Sequence, residues 1–255
     1  DTVTADTTLY AKWTGAANPR IADGVVTWDC VTFGNYAQSD ATGQNKEPIK
    51  WRVLKVEDGK ALLLAANNLD CKKYNENDTS VTWETCTLRA WLNEGFLNAA
   101  FTSQEQADIL ITTVQNPDNP SYGTSGGNAT RDRVFLLSIK ESQDCAYGFL
   151  TDQTRKAANT AYATAQKAST FEGNGDWWLR SPGYHTPYAA YVDLLGRVDD
   201  HGHSLDRPYD AVRPALWVDL NSPDLVDAGT VSCDAGSVSV TFDVRGHGTA
   251  PPSRP

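Results

Sequence analysis

The chain contains no methionine, and one stretch of it lacks considerably more. From Tyr184 to Ala211 there is also no Lys, Glu, Gln or Trp. The other 227 residues hold 34 of these types, a rate that would place about four in this window of 28. The five missing types are those that no codon ending in a pyrimidine encodes. Long apolar runs are absent too: none approaches the roughly 18 residues a membrane helix needs. No Cys-x-x-Cys pair occurs among Cys30, Cys71, Cys86, Cys145 and Cys233, which argues against a zinc or redox site. Their odd number leaves at least one thiol unpaired within the chain. Cys71 and Cys86 lie near enough in sequence to close a short loop, a bridge worth roughly 3 kcal/mol if formed. Positive charge is in deficit, 22 basic against 32 acidic residues for a net −10, and the acids are scattered. That disfavours a nucleic-acid or anionic-membrane surface. No signal-peptide pattern and no initiator Met open the chain, so a fragment of a longer protein is expected.

A length of 255 residues suits one main domain with appendages and is enough to bury a core. The stretch from Trp177 to Val218 organises it. Its ends, Trp177–Gly183 and Val212–Val218, alternate apolar and polar residues as half-buried strands do. Within them, Trp177–Leu179 and Val212–Trp217 are expected to be central paired strands, with Trp177, Leu179 and Leu216 buried. Between them a six-residue frame recurs: Val192 and Val198, Gly196 and Gly202, and a further slot with Tyr191, Arg197 and His203. Ala189, Ala190, Val192, Gly196, Val198 and Gly202 should pack or turn the chain. The remaining positions mix aromatic, acidic, basic and aliphatic residues with no hydrophobic logic. These are Tyr184, His185, Thr186, Pro187, Tyr188, Tyr191, Asp193, Leu194, Leu195, Arg197, Asp199, Asp200, His201, His203, Ser204, Asp206, Arg207, Pro208, Tyr209 and Asp210. They should cluster on one exposed surface.

Elsewhere the order is mixed. Val25 to Tyr36 suits a strand pair or an extended entry. Trp51 to Ala65 predicts a hairpin turning at Asp58-Gly59. Thr87 to Leu97 predicts a helix with Leu88, Trp91 and Leu92 on one stripe and Thr87 as its cap. Ser103 with Gln106 predicts a capping box, then a strand over Ile109–Val114. Asn116 to Thr130 is a long loop of a kind that is often functional. Arg133–Leu137 suits a buried strand. Ser138 with Glu141 suits a second capping box, and Ala157–Ala168 an Ala-rich helix. Hairpins and short helices without βαβ alternation mean an α+β fold.

His201-Gly202-His203 places two imidazoles on one side of an extended chain, and Asp199, Asp200 and Asp206 add carboxylates. Exposed turn residues are the expected reading over a metal site. Asp199 and Asp200 point to opposite faces of a strand and so would not converge for acid–base work. Ser181 and His185 lack the Gly-x-Ser-x-Gly elbow of a hydrolase. Arg180 and Arg213, in matching strand ends, are expected to be buried hydrogen-bond donors or structural ion pairs. The tyrosines with Arg197 and Arg207 have the composition of binding hot spots and antibody paratopes.

Trp-Trp-Leu-Arg-Ser-Pro-Gly at 177–183, then Ala-Ala-Tyr-Val at 189–192, spaced glycines and Val-Arg-Pro-Ala-Leu-Trp at 212–217 resemble a bacterial domain family of unassigned function. Its fold is a formylglycine-generating-enzyme-like variant of the C-type lectin fold. The same stretch is similar to the variable proteins of diversity-generating retroelements, in which adenines of Asn-type codons are randomised. Such codons keep their final pyrimidine, which would account for the missing residue types. The resemblance covers roughly Val25 to Leu220, with a variable-type region at 184–211. Asp1–Gly15 resembles the end of an internalin-type (Listeria-Bacteroides) surface repeat, and residues 237–255 the start of another. The resemblance implies a noncatalytic ligand-binding module with a diversified face. It would sit in a multidomain protein at the bacterial or phage surface, with a protein favoured over a glycan as ligand, no nucleic acid, no membrane insertion, no cofactor and no metal. Formylglycine-generating enzymes work through paired cysteines late in the domain, and none lies between Trp177 and Leu220. The calcium-dependent lectin motifs Glu-Pro-Asn, Gln-Pro-Asp and Trp-Asn-Asp are missing as well. An enzyme of formylglycine-generating or hydrolase type, and a structural spacer in a surface protein, stand as the alternatives.

Overall fold

The Trp51–Ala65 hairpin forms where the sequence places it. Asp58 and Gly59 both take positive φ, 47° and 75°, as a two-residue loop matched to strand twist requires. The structure, a computed structural model, describes residues 15–235. The flanking surface-repeat assignments, 1–15 and 237–255, therefore lie outside the described residues apart from Gly15.

In chain order, β1 (Arg20–Ala22), β2 (Val25–Ala37), β3 (Lys46–Glu57) and β4 (Lys60–Ala65) precede a short β5 (Asp70–Cys71). A helical run follows: α1 (Thr87–Trp91), a π-helical turn at Leu92–Phe96, α2 (Leu97–Ala100) and α3 (Ser103–Asp108). β6 (Thr112–Val114) pairs with β7 (Thr130–Asp132) across the long loop. Then come β8 (Val134–Phe135), α4 (Ile139–Ser142), a tight turn at Cys145–Tyr147, α5 (Asp152–Arg155) and α6 (Ala161–Ala165). The chain finishes with β9 (Trp177–Pro182), β10 (Tyr188–Val192), β11 (Val198–Ser204), β12 (Ala211–Val212), β13 (Ala215–Asp219) and β14 (Val226–Asp234).

Two sheets carry the architecture. One runs β1-β2-β3-β4-β13-β8, with β14 paired along β2. The other runs β11-β10-β9-β12-β5. Nearly all pairings are antiparallel and the helices are short, so the fold is mixed α+β. β1 and β14 carry the first sheet beyond Val25 and Leu220. Trp28, Trp51, Trp83, Trp177 and Trp178 are fully buried. Four of them place the indole N–H on an acceptor: the Tyr147, Phe33 and Lys72 carbonyls and Asp132 Oδ2. Trp177, Leu179 and Leu216 are buried as expected. Among the described residues no helix is long and apolar enough to cross a membrane.

Several local expectations are corrected. Val212–Trp217 is not one strand paired with Trp177–Leu179. Ala211 pairs in parallel with Trp177, but the chain then leaves that sheet at Arg213-Pro214, and Ala215–Asp219 pairs with β4 and β8 in the other. Of the two forms expected for Val25–Tyr36, the extended one is found, as part of one long strand, and the strand pair is not. Cys86, not Thr87, caps α1, its Sγ accepting from Arg89 N, while Thr87 Oγ1 accepts from Glu76 N. The box at α3 is Thr102 with Glu105, one residue before Ser103 and Gln106. The spacing fits both, but Glu105 also accepts from Gly34 N and is buried there. The Ala-rich helix shrinks to Ala161–Ala165, because the Ala157 and Ala158 carbonyls accept from Gly175 N and Asn68 N instead. Of Ile109–Val114, only Thr112–Val114 is strand, with Ile109 making an isolated bridge to Val218. The Ser138–Glu141 box forms as expected. All five cysteines are free, so Cys71 and Cys86 are not bridged, and burial first of all pushes both thiols up to about 12.

The packing can be tested at two residues. Trp177→Ala should cost about 3–5 kcal/mol, as large aromatic truncations in cores do. Chemical denaturation measures it, and an unchanged midpoint would place the ring outside the core. The second residue is Glu141, which pairs with Arg180 and so ties α4 to β9. Burial pulls its carboxyl upward, but the Arg180 charge and the Ser138 hydrogen bonds outweigh burial and hold it below its ordinary 4.5. A depressed carboxylate stabilises the fold fully above the ordinary value and loses that contribution as pH falls through the depressed one. The stability gap between wild type and Glu141→Gln should therefore narrow in acid; a gap unchanged at the acid end would contradict this account.

Candidate functional site

The singled-out positions fall on the successive turns and strands of the second sheet. Tyr184–Pro187 forms the β9–β10 connection, with Gly183 N donating to the Tyr188 carbonyl and Tyr188 N to that of His185. Asp193–Arg197 forms the β10–β11 turn. There Asp193 Oδ1 accepts from Leu195 N and Arg197 N, its Oδ2 accepts from Arg197 Nε, and Gly196 takes φ 88°. Asp206–Asp210 lies between β11 and β12.

Frame and filler separate by burial. Ala189, Ala190, Val192, Gly196 and Gly202 are buried, and Val198 is half-buried against the core. Gly202 packs within the sheet rather than turning the chain. It sits inside β11, where the β10–β11 register shifts, at φ 85°, and a Cβ there would stand 2.5 Å from the Ala189 carbonyl oxygen. Only glycine suits such a position. Among the singled-out residues all but one are half-buried or exposed. The exception corrects the expectation: Asp210 is fully buried. Its Oδ1 lies 2.9 Å from His203 Nδ1 and its Oδ2 3.1 Å from Arg207 Nε, so it supports the surface rather than belonging to it.

Two aromatic groups result. In the first, Tyr184 stacks on His201 with ring centres 3.9 Å apart and touches His185 and Tyr188. In the second, Tyr191 stacks on His203 at 3.6 Å, and His203 meets the buried Trp178 edge-on. Burial, followed by the Asp199 and Asp176 charges, drives the Tyr191 hydroxyl well above the ordinary range, so it serves as a neutral donor, here to Asp199. His201 and His203 thus take different tyrosines as partners. Among the described residues no cluster of three or more His, Cys, Asp or Glu side chains has metal-binding geometry.

Arg180 and Arg213 are both buried in structural roles. Arg180 donates to the Gln115 and Leu136 carbonyls and pairs with Glu141; Arg213 donates to the Ala65, Ala66 and Arg155 carbonyls.

The surface includes residues that sequence reasoning did not name. Asn119 Nδ2 donates to the Pro182 and Asp200 carbonyls, Thr124 Oγ1 to that of Tyr184, and Ser121 Oγ to the Asp200 carboxylate. Tyr122, half exposed, meets Tyr184 and His201 edge-on. From the other side Ser80 Oγ hydrogen-bonds Thr186 Oγ1. The length and Pro/Gly/Asn/Ser content of the 116–130 loop were the only sequence signal for it.

Residues 58–220, which include β4 through β13 and so the whole of this surface, match a family described as Domain of unknown function (DUF6273). The chain belongs to that family. No curated protein and no solved structure matches it. Membership covers more than half the chain and assigns it no activity.

The Gly202 contact yields a test. Gly202→Ala should destabilise by about 1–3 kcal/mol, the range for a strained backbone conformation. Denaturation midpoints measure it, and a neutral substitution would show that the β11 irregularity is not held by the Ala189 carbonyl.

Proposed function

We propose that this chain is a noncatalytic binding module whose recognition surface is the Tyr184–Tyr209 region together with Tyr122. The scaffold is read as C-type-lectin-like, of the formylglycine-generating-enzyme type, and the surface as diversified in the manner of retroelement variable proteins. One observation carries the reading. Apart from Asp210, the positions without hydrophobic logic leave their side chains at or near solvent, while the residues interleaved with them are buried, Ala189, Ala190, Val192, Gly196, Gly202 and Leu205, or, at Val198, half-buried against the core. A domain tolerates arbitrary residues only where they neither fill the core nor fix the backbone.

Three features favour binding over a passive spacer. Tyr122, Tyr184, Tyr188, Tyr191 and Tyr209 lie on the surface, and tyrosine supplies contact area at small entropic cost. Their backbone is fixed by strand pairing and by Asn119, which lowers the ordering cost of association. The missing Lys, Glu, Gln, Trp and Met match a pyrimidine-ending codon set. A protein is the favoured ligand, and a bacterial or phage surface the favoured location. The enzymatic alternative would call for a convergent cysteine pair or a His–carboxylate pocket; the one His–carboxylate pair here, His203 with Asp210, has its carboxylate fully buried and shared with Arg207, which fits a supporting role.

A displayed library tests the reading whatever the natural ligand is. Random residues at Tyr184, Thr186, Tyr188, Leu195, Arg197 and His201 should each alter stability by only about 0.5 kcal/mol, as surface changes do. Most members should then resist protease as wild type does, and binders to a chosen globular protein should be recoverable. Random residues at Ala189, Ala190, Val192 and Gly202 should remove resistance in most members. Equal loss from both libraries would sink the proposal.

A further inference from the structure

A hairpin outside the variable-type stretch borders the proposed recognition surface. Phe171 and Asn174 exchange both backbone hydrogen bonds across Glu172-Gly173, which take φ 50° and 81°. Two successive left-handed residues make the two-residue loop that suits strand twist, and that geometry needs nothing from the Phe171 side chain. The loop is pinned at its base. Asn159 N donates to the Gly173 carbonyl, Asn159 Nδ2 to that of Ser169, and Gly175 N to that of Ala157. Ser169 N donates to the Tyr209 carbonyl at 2.8 Å, which fastens the hairpin to the 206–210 loop. Just after the hairpin, Asp176 Oδ1 takes Leu194 N, and its Oδ2 lies 3.9 Å from Arg207 Nη2. Three loops, 169–175, 193–197 and 206–210, are thereby held together.

Each of the three carries one large apolar side chain to solvent. Phe171 is 49% exposed, Tyr209 47% and Leu195 36%. With Tyr122 they are four of the seven large apolar side chains exposed among the described residues; Ile21, Ile111 and Val226 are the others. A single exposed apolar residue is ordinary, whereas a group of them on linked loops marks an interaction site. Phe171 differs from its neighbours in one respect. It lies outside the stretch that lacks Lys, Glu, Gln, Trp and Met, and Glu172 beside it is of a type missing there. The hairpin therefore adds to the surface a residue that is not part of its variable-type set.

Charge indicates the kind of partner. From Tyr184 to Asp210 there are five Asp, two Arg and no Lys or Glu. Both arginines are engaged within the chain, Arg197 by Asp193 and Arg207 by Asp210 and Asp176. Asp199 accepts only from Tyr191 and Gly202, Asp200 from Ser121 and Asp206 from Ser204, all neutral donors. The Glu172 carboxylate has no partner among the described residues. The unpaired cations at the border are Lys156, whose stem passes Gly196, and Lys167, two residues before Ser169. Four carboxylates without a counter-ion against two lysines leave this surface complementary to positive charge. We propose that the recognition surface extends onto the 169–175 hairpin, that Phe171 is its constant apolar anchor, and that the joined surface fits the basic face of a partner protein. This rests on the binding reading given under the proposed function and adds to it a fixed contact and a sign of charge. Aromatic side chains are enriched at the centres of protein interfaces, and complementary charge guides the partner to them.

The whole chain, randomised at Tyr184, Thr186, Tyr188, Leu195, Arg197 and His201, keeps Phe171 and the four carboxylates and so provides the test. The library is selected in parallel against egg-white lysozyme, a basic protein, and α-lactalbumin, an acidic protein of the same fold. Lysozyme should yield the tighter binders, by about tenfold in Kd. In independent lysozyme binders Phe171→Ala should weaken Kd about tenfold, whereas Ile111→Ala, at a residue exposed to the same degree, should leave it unchanged. Asp206→Asn and Glu172→Gln should each weaken it about threefold at low salt. Asp227→Asn, which removes the same charge from β14, should not. A melt of each variant confirms that it is folded. Lysozyme binders indifferent to Phe171→Ala, α-lactalbumin binders as tight as the lysozyme binders, or an equal loss from Asp227→Asn and Asp206→Asn would each overturn this proposal and leave the binding reading standing. Recovery of no binder to either target would overturn both.

Discussion

The two sheets meet on a buried guanidinium. Arg213 lies between β12 in one sheet and β13 in the other and is fully buried. Its N–H groups reach the Ala65 and Ala66 carbonyls at the end of β4 and the Arg155 carbonyl at the end of α5, and its plane lies 5.0 Å from the centre of the Trp177 ring at the start of β9. Among the described residues no carboxylate pairs with it. Burial first, then the like charge of Arg52, drive its pKa well below the ordinary value. Carbonyl dipoles and an aromatic face stand in for a counter-ion, an arrangement that the flat, multiply donating guanidinium permits and an ammonium does not. Removing this side chain would leave several buried carbonyls without donors, and an unpaired buried acceptor is more harmful than a lost bond. The proposed recognition surface depends on the same residue, because β9 begins at Trp177 and β10 and β11 are built outward from β9.

The arrangement separates what holds the backbone from what faces solvent. Asn119, 63 and 81 residues from its two carbonyl partners, fixes the β9–β10 and β11 segments from outside the sheet. Asp176 Oδ1 takes Leu194 N and so secures one end of the β10–β11 turn. Asp210 performs a related task from within the variable-type stretch itself. Its burial shows that the window is not uniformly free: a position can lack hydrophobic logic because it carries a buried polar role rather than because nothing constrains it. Composition alone does not distinguish these cases, whereas the contacts to His203 and Arg207 do.

What was legible in the sequence was local. Asp58-Gly59 between apolar runs specifies its own turn geometry, and Ser138 with Glu141 satisfies two helix-end donors without help from distant residues. Burial at Trp177, Leu179 and Leu216 followed from size and alternation. The partner of a strand was not legible in the same way. Apolar alternation runs on through Pro214, yet the chain changes sheets there, because alternation records which side chains are buried and not which backbone lies alongside. Thr102 and Ser103 both begin an acceptable capping box, and a distant contact, Glu105 to Gly34, goes with the one that forms. Cys86 as a cap was hidden because sulfur rarely takes that part. For the surface, the positions lacking packing logic could be listed from sequence, but Tyr122, Ser80 and Asn119 join it only through the tertiary fold.

The stacked pairs qualify the idea of independent variable positions. Tyr184 covers His201, and Tyr191 covers His203, with ring planes within 16° and 18° of parallel. Each partner restricts the other's rotamers before any ligand arrives, which favours binding by reducing the order still to be imposed. The same contact couples the positions, since residues in touch do not contribute additively. Replacing His201 alters the surface that Tyr184 presents as well as its own, and Tyr191 answers in the same way to His203. On the proposed reading, the unit of variation is then a cross-connected pair held by a fixed backbone. A change at one slot acts as a change of shape over two, and a modest number of slots can produce surfaces more different from one another than a count of substitutions would suggest.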